Sequence, residues 1–132
     1  MFTVTTQSVS QTEDFAFRMA KVLPHGAVIA FFGGLGMGKT AFVRGLARGL
    51  GLKSEVSSPT FALVHDYGGN PPLYHFDMYR VETMEALYST GYFDYLDCGA
   101  YLAVEWSENI ENVLPDDRID IFFRRTTDEN QR

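Results

Sequence analysis

The sequence predicts a three-layer α/β domain with an antiparallel hairpin, and three observations support this fold class. The apolar run from Ala27 to Phe32 is bounded by glycines, as expected of a strand buried on both faces of a sheet. A glycine-rich turn and a helical pattern follow this run directly. Strand-like and helical segments then alternate along the chain, as in sheets that carry helices on both faces. Because 132 residues leave no room for a second domain of ordinary size, we expect residues 1–132 to form a single domain.

The first half of the chain is predicted to alternate between strands and helices. Thr3 to Thr5 is a short strand candidate. An amphipathic helix is predicted from Thr12 to Leu23, with Thr12 as its cap, because apolar residues recur at helical spacing and two acidic residues occupy the first turn. After the apolar strand, a second helix is predicted from Lys39 to Leu50, where two nearby glycines end it.

The second half is richer in strand-like segments. Phe61–Tyr67 and Leu73–Tyr79 are aromatic-rich and are predicted to form a hairpin around a five-residue loop. The remaining predicted elements are a helix at Val81–Ser89, a strand at Tyr101–Trp106, a short helix at Glu108–Val113 and a last strand at Ile119–Phe123.

Composition excludes several classes of protein. Seventeen acidic against eleven basic side chains give a net charge of −6, the wrong sign for gripping nucleic acid over a broad face, so an RNA role would need a partner. The longest apolar run has six residues, far below the roughly 18 that a membrane helix needs. The N-terminal sequence lacks the features of a secretion signal, and the single cysteine, Cys98, excludes an internal disulfide. We therefore expect a cytoplasmic protein with no membrane partner.

Charge is distributed unevenly along the chain. Residues 1–53 contain six basic and two acidic side chains, whereas residues 54–132 contain five basic and fifteen acidic ones. The net charges of +4 and −10 suggest that the first half binds anions and the second binds cations or a basic surface. A solvated surface is the simpler alternative.

A phosphate-binding loop is the strongest chemical signal in the sequence. Residues 33–40 match the pattern G-x-x-x-x-G-K-[ST] between a predicted strand and a predicted helix. Glycine backbone N–H groups and the helix N-terminus favour phosphate, Lys39 would reach the β- and γ-phosphates, and Thr40 would bind Mg²⁺. ATP is favoured over GTP because an Asn-Lys-x-Asp signature is missing. The predicted phosphate-loop residues are Gly33, Gly34, Leu35, Gly36, Met37, Gly38, Lys39 and Thr40.

Acidic residues at predicted strand ends could complete such a site. Asp77 is the best-placed second ligand for Mg²⁺, with Asp66 as the runner-up; Asp77 could instead be a turn residue that pairs with Arg80. Glu105 ends an alternating strand and is the candidate for activating water. An ordinary solvated carboxylate is the alternative for Glu105.

The segment Ser57–Thr60 lies where phosphate-loop proteins carry the loop that senses the γ-phosphate. Pro59 would stiffen it, and the Thr60 hydroxyl could reach Mg²⁺ or the phosphate. A plain turn would accommodate the same residues.

The motifs GGLGMGKT, SSPTF, YHFDMYR and VEWSE, in this order, closely resemble those of the TsaE family. The resemblance covers nearly the whole chain. It implies a P-loop ATPase, slow alone, that works with TsaB- and TsaD-like proteins in tRNA threonylcarbamoyladenosine synthesis and meets tRNA only through that complex. The sequence departs from the family at Gly34, where an acid is usual, and at Met37, where alanine is usual. Similar proteins continue beyond Arg132 into another strand, so we expect a short sheet edge there.

The resemblance also implies roles for individual residues. It places the catalytic roles on Lys39, Thr60 and Glu105. Trp106 is expected to take part in binding the nucleotide. The implied Mg²⁺ ligands are Thr40, Asp77 and Glu105.

Two other functions fit the same motifs. A small-molecule kinase would use the same phosphate loop, although such kinases usually add a mobile lid that carries arginines. A nucleotide switch that does not hydrolyse ATP would share every binding residue with the ATPase.

Overall fold

A computed structural model describes residues 4–33, 38–52, 64–69, 72–79 and 81–123. These residues form five strands, four α-helices and a 3-10 helix. In chain order the elements are α1 (Val9–Ala20), β1 (Val28–Phe32), α2 (Lys39–Gly49), β2 (Val64–Gly69), β3 (Pro72–Asp77), α3 (Met84–Ser89), α4 (Tyr92–Asp97), β4 (Tyr101–Glu105), the 3-10 helix (Ser107–Val113) and β5 (Ile119–Phe122).

The strands form one mixed sheet in the order β2-β3-β4-β1-β5. β1 is parallel to both β4 and β5, and β3 is parallel to β4, whereas β2 pairs antiparallel with β3. The carboxyl ends of β1, β3 and β4 therefore lie at the same edge of the sheet. In open α/β sheets, ligands bind at this edge.

Alternate side chains of β1 enter two separate cores. Ile29 and Phe31 pack in a cluster with residues of α1 and α2. Val28, Ala30 and Phe32 pack in a second cluster, with residues of α3, α4 and the 3-10 helix. A strand buried on both faces needs apolar side chains in both directions, which explains its continuous apolar run. The predicted three-layer α/β fold with an antiparallel hairpin is confirmed.

Close contact between α1 and α2 sets the direction of the helix that begins at Lys39. A Cβ atom on Gly45 would overlap the carbonyl oxygen of Glu13, and one on Gly49 would lie 2.5 Å from Cβ of Ala20. Arg44 reinforces the contact with a 2.5 Å ion pair to Glu13. The two glycines therefore let the helix backbones approach more closely than side chains would allow.

The first helix begins earlier than predicted. Ser8, not Thr12, caps it, because the Ser8 hydroxyl accepts a 3.1 Å hydrogen bond from the N–H of Gln11. The Thr12 hydroxyl is buried and bonds the Thr6 hydroxyl at 2.7 Å. The short strand predicted at Thr3–Thr5 is wrong at residues 4 and 5, which belong to no strand.

The hairpin has a shorter connection than predicted. Its strands pair from Val64 with Phe76 to Gly69 with Pro72, so residues 70 and 71 alone separate them. The five-residue loop is therefore wrong, because strand pairing extends into the glycines and proline that suggested a loop. Part of the predicted first strand, residues 61–63, lies outside the described residues.

The connection from β3 to β4 contains two helices, α3 and α4, and only the first of them was predicted. α3 begins at Met84, capped by the Thr83 hydroxyl, and α4 follows after Gly91, which has a left-handed φ of 81°.

Throughout the described ranges, no helix has both the length and the apolar character needed to cross a membrane.

Candidate functional site

Two glycines with positive φ flank the segment between β1 and α2. Gly33 has φ 128° and Gly38 has φ 93°, conformations that residues with a Cβ rarely adopt. A Cβ on Gly33 would also lie 2.7 Å from the carbonyl oxygen of Phe123. Lys39 and Thr40 are the first residues of α2. Five predicted site residues lie outside the described residues: Gly34, Leu35, Gly36, Met37 and Thr60.

Lys39 is a buried cation, only 4% exposed. Its Nζ donates a 2.7 Å hydrogen bond to the carbonyl oxygen of Gly33 and lies 5.1 Å from the centre of the Trp106 ring. Among the residues that the structure describes, none offers a carboxylate within ion-pair distance of Nζ. Since lysine is rarely buried without a counter-charge, this position favours an anionic ligand.

Asp77 and Glu105 lie opposite each other at the ends of β3 and β4. Burial raises the pKa of Asp77, and the negative charge of Glu105 raises it further. A 2.9 Å hydrogen bond from the N–H of Tyr79 and the positive charge of Lys39 lower it in part. The two carboxyl groups therefore concentrate negative charge where a cation would relieve it.

His75 contacts Glu105 at this edge of the sheet, and no role for it was predicted from the sequence. It is fully buried, and its Nε2 lies 2.5 Å from Oε2 of Glu105. Its Nδ1 lies 3.4 Å from the hydroxyl of Tyr67 on the neighbouring strand. Strand alternation could have indicated it, since residues two apart share a face and His75 precedes Asp77 by two.

Trp106 follows Glu105 in a left-handed conformation, with φ 58° and ψ 42°. A residue with a large side chain adopts this conformation only where the surroundings require it. Its ring also lies 4.9 Å from that of Tyr79. A cavity of about 400 Å³ opens beside these rings, lined by Tyr79, Val81, Glu82, Trp106 and Asn109.

Asn109 ties together the two segments that follow β3 and β4. Its side-chain amide donates a 2.7 Å hydrogen bond to the carbonyl oxygen of Met78. The N–H of Met78 donates in turn to the carbonyl oxygen of Glu105 at 3.1 Å. These bonds hold the residues that follow Asp77 and Glu105 in fixed relative positions.

The donor set suits a magnesium ion that shares its ligands with phosphate. In the described part of the chain, His, Cys, Asp and Glu side chains form no cluster of three or more that could hold a metal alone. Mg²⁺ usually binds one or two carboxylates together with water and substrate phosphates. Asp77 and Glu105 supply two neighbouring carboxyl groups, and Thr40 supplies a hydroxyl at the start of α2. The chemistry of these residues fits a nucleotide-bound Mg²⁺.

Asp66, the alternative magnesium ligand, lies away from this edge. It is exposed in β2, opposite Tyr74, and its Oδ1 accepts a 2.7 Å hydrogen bond from the N–H of Gly68. Because β2 runs antiparallel to β3, its carboxyl end points away from the ends of β3 and β4. The structure therefore brings Asp77, not Asp66, together with Lys39 and Glu105.

Comparison with known proteins identifies the family. The family model described as "Threonylcarbamoyl adenosine biosynthesis protein TsaE" matches residues 6–132. The chain belongs to the TsaE family. Its role accordingly lies in the biosynthesis of threonylcarbamoyladenosine in tRNA.

Individual TsaE proteins resemble this chain over most of its length. The TsaE protein of Treponema pallidum is 34% identical over 126 residues, which cover 96% of this chain and 93% of the relative. That of Bacillus subtilis is 36% identical, covering 96% and 79%, and that of Synechocystis is 42% identical, covering 77% and 68%. The crystal structure of B. subtilis YdiB matches with a TM-score of 0.79 and 32% identity, covering 97% of this chain and 79% of that one.

Proposed function

We propose that this TsaE protein is an ATP-binding and ATP-hydrolysing accessory subunit that supports threonylcarbamoyl transfer to tRNA. One observation carries the proposal. The buried ammonium of Lys39, bonded to the carbonyl oxygen of Gly33, lies at the same edge of the sheet as the facing carboxyl groups of Asp77 and Glu105. A cation for phosphate and carboxylates for magnesium are what a nucleoside triphosphate requires.

ATP would bind through Lys39 and the N-terminus of α2. In this proposal the lysine exchanges its bond to the Gly33 carbonyl for oxygens of the β- and γ-phosphates. Gly33–Thr40 would surround the phosphates, with Thr40 and Asp77 holding Mg²⁺ and Glu105 beside it. When bound, Mg²⁺ neutralises charge that develops on the phosphates.

Hydrolysis would depend on Glu105. Its carboxylate orients a water molecule and accepts a proton as the water oxygen bonds to the γ-phosphorus. The bond from that phosphorus to the bridging oxygen breaks, giving ADP and phosphate. Trp106 would limit access of bulk water to Lys39, and Thr60 remains the predicted contact to the γ-phosphate.

TsaB- and TsaD-like proteins are the proposed partners. A chain with a net charge of −6 is poorly suited to holding tRNA by itself, which favours contact with tRNA through the complex only. We propose that hydrolysis is slow in the isolated protein and faster in that complex.

Calorimetric titration with ATP and Mg²⁺, combined with a phosphate-release assay, tests the proposal. Lys39→Ala should lose ATP binding, whereas Glu105→Ala should keep binding and lose turnover. Glu108→Ala is the matched control, because Glu108 is an exposed carboxylate three residues further along the chain. Full turnover in Glu105→Ala would remove this residue from the mechanism, and unchanged binding in Lys39→Ala would overturn the proposed site.

Two further measurements distinguish the ATPase from a small-molecule kinase and from a nucleotide switch. Phosphoryl transfer to a nucleoside or metabolite, instead of to water, would identify a small-molecule kinase. In a reconstituted mixture with TsaB, TsaD and tRNA, full modification over many turnovers with a non-hydrolysable ATP analogue would identify a switch. The ATPase proposal predicts neither result.

A further inference from the structure

We propose that His75 is a positioning residue whose hydrogen bond from Nε2 holds the Glu105 carboxylate in the orientation that accepts a proton from water. This inference rests on the proposed ATPase function and adds to it a residue that does not itself touch the nucleotide. The geometry of β3 and β4 carries it.

The bond between the two side chains runs diagonally across the strand pair. The register partner of Glu105 is Asp77, whereas His75 is paired with Ala103. The Glu105 side chain therefore reaches back along the sheet by one two-residue step to meet Nε2 of His75 at 2.5 Å. This contact fixes the carboxylate to a fully buried ring that cannot itself rotate freely.

Hydrogen-bond chemistry places a proton on Nε2 of His75. An ionised carboxylate only accepts, so Nε2 carries the proton and donates to Oε2 of Glu105. In a neutral ring Nδ1 is then the acceptor, and it lies 3.4 Å from the hydroxyl of Tyr67. The Tyr67 ring is in turn stacked on the ring of His65, with 4.3 Å between centroids. Tyr67 therefore supports the His75 ring from the neighbouring strand, β2.

We expect a fixed orientation of the Glu105 carboxylate to affect the rate of catalysis more than the stability of the fold. Glutamate has several rotatable bonds, and proton transfer to it requires a defined position relative to the attacked phosphorus. His75 engages one carboxylate oxygen and leaves the second for the water molecule. Removing such a supporting partner costs on the order of 10–100-fold in activity in comparable sites.

Two substitutions at His75 separate positioning from folding. His75→Gln keeps a side-chain N–H near the place of Nε2, whereas His75→Asn is too short to reach Glu105. We expect His75→Asn to lower kcat by about 10–100-fold with Kd for ATP unchanged, and His75→Gln to recover most of that loss. Equal kcat in the two variants, or losses that only follow their thermal stability, would overturn the positioning role.

A second measurement needs neither nucleotide nor a substitution at His75. In ¹⁵N-labelled nucleotide-free protein, the short bond should give a protonated Nε2 resonance whose proton is shifted downfield. Glu105→Gln, which removes the anionic acceptor, should move this resonance upfield, and Glu108→Gln should leave it in place. A ring without a proton on Nε2, or one insensitive to Glu105→Gln, would contradict the inference.

The two levels of the proposal fail in different ways. If Glu105→Gln loses turnover but His75→Asn retains it, the positioning role is wrong and the ATPase proposal stands. If Glu105→Gln retains full turnover, the assigned role of Glu105 fails, and the inference about His75 fails with it.

Discussion

Asp77 and Glu105 are register partners on parallel strands, and the structure sets these two carboxyl groups side by side at the edge of the sheet where β1 also ends. Glu105 is only 7% exposed and is hydrogen-bonded to His75, while Asp77 accepts a hydrogen bond from the N–H of Tyr79. Two neighbouring carboxyl groups cannot both be ionised without repulsion. When no cation is bound, the site therefore disfavours the ionised form of Asp77.

Asp77→Asn should stabilise the nucleotide-free protein at neutral pH. Because the pKa of Asp77 is raised by burial and by Glu105, the folded state binds this proton more tightly than the unfolded state. Ionised Asp77 thus destabilises the fold above its raised pKa, and that cost disappears as pH falls towards 3.8, the ordinary value. The advantage of Asp77→Asn should shrink over the same window, measured as the unfolding midpoint against pH.

Asp66→Asn is the matched control for this prediction. Asp66 makes the same local contact as Asp77, from Oδ1 to the N–H two residues later, at an exposed position. Asparagine keeps that acceptor in both variants, so their difference isolates charge at the site. An Asp77→Asn protein less stable than the wild type at neutral pH would contradict the assigned cost of ionisation.

Gly45→Ala should destabilise the protein, although alanine is normally the better helix residue. In an open helix the change would stabilise by roughly 0.5–1 kcal/mol. Here the new Cβ would overlap the carbonyl oxygen of Glu13, so α1 and α2 must separate, at a cost of about 1–3 kcal/mol. Denaturant unfolding decides between the two signs, and a stabilised variant would show that the helices can separate freely.

The sequence predicted the parts of the site that follow from motif and strand order. Lys39 could be placed because its motif specifies a strand before and a helix after, and Glu105 because parallel strands end at one edge. Alternation along β3 could place His75 on the same face as Asp77, but its bond to Glu105, 30 residues away, depends on the register of two strands. α4 was missed because Gly91, which suggests a break, instead starts a new helix in a left-handed conformation.

The start of α1 also could not be predicted from residue types alone, and substitution of Ser8 tests its role as the cap. Both Ser8 and Thr12 are cap-forming residue types, and tertiary contact decides between them: Thr12 is buried against Thr6. Ser8→Ala should cost about 1 kcal/mol because the N–H of Gln11 loses its partner. Ser8→Asp should retain the stability in the same denaturant titration, and equal losses in both variants would argue against capping by the side chain.

Trp106 should report nucleotide binding directly, because it is the single tryptophan in the chain. Its ring lies 5.1 Å from Nζ of Lys39, a cation–π distance, and ATP would draw that ammonium towards phosphate. Titration with ATP and Mg²⁺ should therefore change the tryptophan emission and saturate at the calorimetric stoichiometry.

Substitution at each partner separates this signal from a general change in shape. Lys39→Ala should show no saturable change in emission, because both the cation and the nucleotide site are lost. Trp106→Phe should remain able to bind ATP in the calorimeter, with a shift of about 1 kcal/mol or less, since phenylalanine also offers an aromatic face to Lys39. An emission unchanged by ATP in a wild-type protein that binds it would show that the ammonium stays beside the indole, and that phosphate is held by other groups.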